Sequence, residues 1–188
     1  KVHAGRANGF IGRNLARLLG ATDFHIRDSF VTLDDRHLQF LGNDSVVTRT
    51  VFWYGIGGYE GGQVELWEKL CRHAEHVREV GANVGLYTVV GGMANPAASY
   101  HAYEPHPRVY RVLKGNVNAN RVTNVRLFDK AVVPSDFGDN REVRLQVLNQ
   151  DVDWHELPTG ASVIDVVGIC EDANKAYISV PTISARTA

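Results

Sequence analysis

The chain has 188 residues, 44% hydrophobic and 22% charged, which suits one domain of ordinary size and excludes two full enzyme domains. Its 20 Lys plus Arg against 21 Asp plus Glu give a formal charge of −1 with no block of like charge, so electrostatic capture of nucleic acid or of a membrane surface is not expected. Cys71 and Cys170 match no metal spacing, and no apolar run approaches the roughly 20 residues of a membrane helix, which together point to a reducing, cytoplasmic setting.

Leu15, Leu18 and Leu19, with Arg13 and Arg17 between them, predict a short amphipathic helix ended by Gly20. From Phe24 to Tyr54 the residues turn β-branched and aromatic. Phe30–Leu33, Leu38–Leu41 and Val46–Tyr54 read as strands of a small antiparallel cap, with Asp34-Asp35 as a turn. Residues 1–62 therefore form an N-terminal helix and β-rich cap, and residues 63–188 a second, α/β unit. A glycine-rich stretch around Tyr59-Glu60 precedes a helix from about Gln63 to His73, with Val64, Trp67, Leu70 and Cys71 on one face.

The next stretch alternates short strands with helical periods, the pattern of βαβ units and a parallel sheet. Val77–Val80 is the first strand. A helix carrying Leu86, Val89, Val90 and Met93 follows and stops at Asn95-Pro96. Ser99–Tyr103 is the second strand, Pro107 to about Asn120 the second helix, and Val125–Phe128 the third strand, running on toward Val133. Val143, Leu145 and Val147 alternate with polar residues as a half-exposed antiparallel strand, with Tyr177–Val180 as its partner.

The chemistry concentrates at Glu79–Gly85. A strand delivers an acid and turns tightly into a helix; Gly81 lets a ligand approach the backbone, Gly85 permits close helix packing, and the helix start offers N–H groups to an anion. Some twenty residues on, Glu104 closes the second strand, where a carboxylate can accept from both ribose hydroxyls. These features specify an adenosine-type ligand at the carboxyl edge of the sheet. A dinucleotide fingerprint requires glycine where Asn83 stands, so S-adenosylmethionine suits the turn better than a nicotinamide cofactor.

The runs Glu79–Thr88, Tyr103–Pro107, Leu113–Asn120 and Asn124–Val132, with Gly58-Tyr59-Glu60, Gly160–Ser162 and Val180–Ser184, resemble the FkbM family of class I S-adenosylmethionine-dependent methyltransferases. The resemblance implies a Rossmann-like sheet and methyl transfer to a hydroxyl of a sugar or secondary metabolite, so the expected partner is a small-molecule or glycan acceptor. It implies that Glu79, Gly81, Asn83 and Gly85 hold the methionine portion, Glu104 the ribose, and Asp129 the adenine edge. Ala82 and Pro105 belong to the same two loops, and the resemblance further implies that Tyr59 and Glu60 close over the methyl donor.

Two departures stand out. Arg78 and Glu79 interrupt a strand that is continuously apolar in the family. The acidic Asp-x-Glu-Gly strand that follows the Val180–Ser184 position in the family is missing; Val163–Gly168 echoes it out of order. Of the family's strand order 3-2-1-4-5-7-6 only 3-2-1 is supplied, so Val77–Val80 is expected at an open edge, completed by a missing C-terminal half or by a second copy. Two other readings remain. Gly5–Gly12 resembles the nucleotide loop of extended short-chain dehydrogenases, which would make the protein an NAD-dependent dehydrogenase or epimerase. Alternatively, the chain is a non-catalytic interaction module on a cofactor fold. His73 and His76 stand three apart without a third ligand and read as surface histidines.

Overall fold

Strands β1 (Asp28–Leu33) and β2 (Arg36–Leu41) pair antiparallel, Asp28 opposite Leu41 and Leu33 opposite Arg36, and form the hairpin of the expected cap. The structure is a computed structural model that describes residues 28–33, 36–41, 45–60, 62–137, 139, 141–147, 162–163 and 176–188. The helix expected at 14–19 and the Gly5–Gly12 loop lie outside these.

Val46–Tyr54, expected as a strand, is helix α1. Ser45 caps it by accepting from the Thr48 amide at 3.1 Å, and Val47, Thr48, Val51 and Phe52 form one buried stripe. The cap and the stripe outweigh the strand preference of the β-branched and aromatic residues, because such preferences are weak against burial. Gly55, at φ +73°, ends the helix, and a single 3₁₀ turn follows at Ile56–Gly58. Helix α2 (Gln63–Cys71) stops two residues short of the expected His73.

The alternating segment folds as read: β3 (His76–Val80), α3 (Leu86–Ala94), β4 (Ser99–Tyr103), α4 (Pro107–Ala119) and β5 (Val125–Phe128). The three strands are parallel in the order β3-β4-β5, so among the described residues β3 has one unpaired edge. Val77, Tyr100 and Ala102 on one face join Val84, Val89, Val90 and Leu113 in the main apolar core. Leu38, Phe40, Val51 and Ile56 belong to that same core, so residues on both sides of position 62 share it. Helices α2 and α3 touch at Gly91, where a Cβ would stand 2.8 Å from Trp67 Nε1 and from Tyr100 Cε2.

The third strand does not run on to Val133. It breaks at Asp129-Lys130, and β6 (Ala131–Val133) joins a different sheet, parallel to β9 (Ala176–Ser184). Asp129 is exposed and stands where the chain leaves one sheet for the other. Strand β7 (Glu142–Val147) pairs antiparallel with β9, Val143 opposite Val180, as the alternation predicts, and with β8 (Ser162–Val163). Tyr103, Ile183 and Ala188 form a small cluster that ties the two sheets together, with Phe128 and Val132 packed against it.

Candidate functional site

The β3–α3 turn takes its shape from three consecutive requirements for positive φ: Gly81 at +77°, Asn83 at +51° and Gly85 at +90°. At Gly85 a Cβ would lie 2.6 Å from Leu113 Cδ1, so glycine serves both the backbone and the close approach of α4. At Gly81 a Cβ would meet nothing within 4 Å; the space in front of this backbone is open.

The turn is fastened to the next one. The Gly81 and Ala82 amides donate to the Tyr103 carbonyl at 2.9 and 3.0 Å, Val84 N to Asn83 Oδ1 at 2.8 Å, and Gly85 N to the Ala82 carbonyl at 2.9 Å. Glu104 then clamps both loops, one carboxylate oxygen accepting from Asn83 N and the other from His106 N, each at 2.9 Å. Its carboxyl is raised above the usual range because burial outweighs these two bonds. All five loop amides from Gly81 to Gly85 are thus engaged within the protein. What the helix start offers an anion is its first-turn amides, beginning at Leu86, which have no intrahelical partner.

Glu79 is buried on the helix-covered face of β3, where Thr88 Oγ1 and Tyr100 OH both donate to its Oε2, at 2.6 and 2.7 Å. Burial is the main reason its carboxyl rises to about 7; the two hydroxyl bonds oppose the shift and the Glu104 charge adds to it. Among the described residues no donor reaches Oε1. A buried acceptor left open in this way is uncommon in a folded protein.

In front of β3 lies a cleft of ≈520 Å³, lined among others by Glu60, Trp67, Glu79, Gly81 and Tyr87. Glu60 sits at φ +53° and accepts from the Tyr87 hydroxyl, which fixes the glycine-rich stretch over the start of α3. Tyr59 packs against the main core beside it, its hydroxyl shifted upward by burial and by Glu60. Trp67 donates from Nε1 to the Tyr87 carbonyl at 3.1 Å, and the two rings meet edge to face at 5.9 Å. Glu60, Glu79 and Gly81 therefore share one cleft, with Ala82 buried behind the turn, while Glu104 and Pro105 stand at the neighbouring strand end. Asp129 lies one strand further on, beyond the end of β5.

Tyr87 and Thr88 fall within the run Glu79–Thr88 and Trp67 on the apolar face of α2, but neither these nor Tyr100 is marked by spacing as part of the site. Asn116 is another such residue: wholly buried on α4, it donates to the Val84 carbonyl and accepts from Leu41 N, both at 2.7 Å, tying the β3–α3 turn to the hairpin. Asn120, one turn on, accepts from Gln39 N at 2.8 Å and donates to Gln39 O at 2.7 Å. The i, i+4 spacing of an asparagine on α4 and the asparagine that caps its end, within the run Leu113–Asn120, is the trace of this clasp in the sequence.

No known family profile matches the chain, and no curated protein does. Among solved structures it is similar to an S-adenosylmethionine-dependent methyltransferase from Agrobacterium tumefaciens, with TM-score 0.41, 12% identity, 56% of this chain and 33% of that one. It is also similar to TYW2 of M. jannaschii in complex with AdoMet, with TM-score 0.41, 17% identity and coverages of 57% and 45%. A third likeness is to Trm5b of Pyrococcus abyssi, with TM-score 0.38, 19% identity and coverages of 58% and 34%. The likeness is to part of a fold. The aligned region spans less than half of each of these proteins. Among the described residues no three His, Cys, Asp or Glu side chains cluster as a metal site, and no helix is long and apolar enough to cross a membrane.

Proposed function

We propose that the chain is the cofactor-binding part of an S-adenosylmethionine-dependent methyltransferase. The observation that carries this reading is the carboxyl of Glu79: buried, already bonded twice through Oε2, and with Oε1 left to accept from a ligand. An ammonium group is the complement that restores the ionised form of such an acid. The residues present fit the rest of the cofactor. The open space over Gly81 admits a ligand against the backbone, and each oxygen of Glu104 carries one amide bond, leaving a lone pair apiece for a ribose hydroxyl.

When bound, the sulfonium supplies a methyl carbon activated for displacement by an acceptor oxygen. The chain's own contribution is orientation. Glu79 holds the amino-acid end, Glu104 fixes the sugar, and the Tyr87–Glu60 bond keeps the Tyr59 segment over the cleft, so positioning can lower the barrier substantially. Asp129 is placed at the adenine edge by the resemblance to the FkbM family. The same resemblance proposes a hydroxyl of a sugar or secondary metabolite as acceptor.

Trp67 lines the cleft, so a ligand bound there is expected to alter its fluorescence. Titration with S-adenosylhomocysteine should change its fluorescence saturably, Glu104→Ala should weaken binding at least tenfold, and NADH should give no saturable change. Tighter binding of NADH, or affinity that survives Glu104→Ala, would remove the basis for this assignment.

A further inference from the structure

We infer that the open face of the β3–β4–β5 sheet docks an acidic helix of a second polypeptide. Strand alternation sends Val77, Tyr100 and Ala102 to the helix-covered side and Arg78, His101 and Arg126 to the other. The register sets these three abreast, Arg78 beside His101 and His101 beside Arg126. Two guanidinium-bearing residues thus flank an imidazole on adjacent parallel strands, and both arginines are exposed. Among the described residues no carboxylate pairs with either arginine; Arg78 Nε donates instead to the Ala188 carbonyl. The two arginines, one on either side of the central strand, give this row a positive charge that an acidic partner complements. The imidazole responds by being held neutral more readily: its pKa is lowered first by burial and then by Arg78, Arg126 and His76.

A parallel sheet is normally covered on both faces. Here Ile183 and Ala188 cover the carboxyl end of this face at Tyr103, while Val80 is left 63% exposed beside Arg78. A helix fits the remaining area. Residues seven apart on one helix face are about 10.5 Å apart along its axis. The two arginines are separated by two strand spacings, about 10 Å. Carboxylates at i and i+7 would therefore meet Arg78 and Arg126, with apolar side chains between them and toward Val80. A polynucleotide is the poorer complement, since the row holds only two permanent charges on a chain of net charge −1. On β3 this face shares Arg78 and Val80 with the lining of the cleft before Glu79, so the test turns on Arg126, two strands away and outside that lining.

The test uses an 18-residue fluorescent amphipathic peptide with Glu at i and i+7 of its polar face, and a control with Lys at both. The intact chain should bind the Glu peptide and not the Lys peptide, with affinity that falls as salt rises. Arg126→Glu should weaken the Glu peptide roughly tenfold and admit the Lys peptide. Arg126→Gln, with an unchanged thermal melt, controls for folding and should give an intermediate loss. Equal binding of both peptides, indifference to Arg126→Glu, tighter binding of a single-stranded oligonucleotide, or a homodimer that Arg126→Glu dissociates would each overturn the inference.

Discussion

Glu79→Gln separates what this side chain does for the fold from what it does for a ligand. Glutamine keeps an oxygen for Thr88 and Tyr100 but cannot ionise, so it imitates the protonated acid. The wild-type carboxyl is moved from 4.5 to about 7 by burial, which corresponds to about 3 kcal/mol of proton-linked stability. The sign follows from where the protons sit. Below about pH 4.5 the group is protonated in both folded and unfolded chains and its contribution is complete. As pH rises through about 7 the folded chain must either hold a buried charge or lose its structure, and the contribution disappears. Urea unfolding between pH 4.5 and 8 should show the wild type losing about 3 kcal/mol relative to the variant, with histidines common to both cancelling in the difference. A wild-type minus variant stability that stays level across this range, or climbs with pH, would refute the burial argument. The same variant should bind S-adenosylhomocysteine at least tenfold more weakly at pH 8 while being the more stable protein there.

Other perturbations bear on the scaffold around the site. Gly85→Ala places a methyl group 2.6 Å from Leu113 Cδ1 at φ +90°, and should cost about 2–4 kcal/mol in a urea melt, from strain and overpacking together. Gly81→Ala meets open space and should cost only about 1–2 kcal/mol, from its positive φ, yet it should weaken S-adenosylhomocysteine binding measured by calorimetry. Asn116→Ala removes the bonds to the Val84 carbonyl and the Leu41 amide and should cost about 2–4 kcal/mol, with faster hydrogen exchange at Leu41. Ser45→Ala removes the cap of α1 and should lower stability by about 1 kcal/mol, seen as a lower melting temperature.

The sequence by itself determined the parallel unit. Strand and helix periods from Val77 to Phe128, the Gly81 and Gly85 spacing, and an acid at each of two strand ends are local signals, because periodicity and positive-φ demands act over a few residues. The pairing of Val143 with Val180 was legible for the same reason, as an alternation matched by an apolar partner run. What tertiary structure decided lies in contacts between distant residues. Val46–Tyr54 became a helix because a buried stripe and a serine cap outweighed strand-forming side chains. The third strand stopped at Phe128 because the next residues found their partner in β9, some fifty positions away. Thr88 and Tyr100 converge on Glu79 across 9 and 21 residues, and Asn116 reaches Leu41 across 75. The row of Arg78, His101 and Arg126 exists only once three strands are in register. Burial and long-range hydrogen bonds depend on where the whole chain goes, and no window of neighbouring residues contains that information.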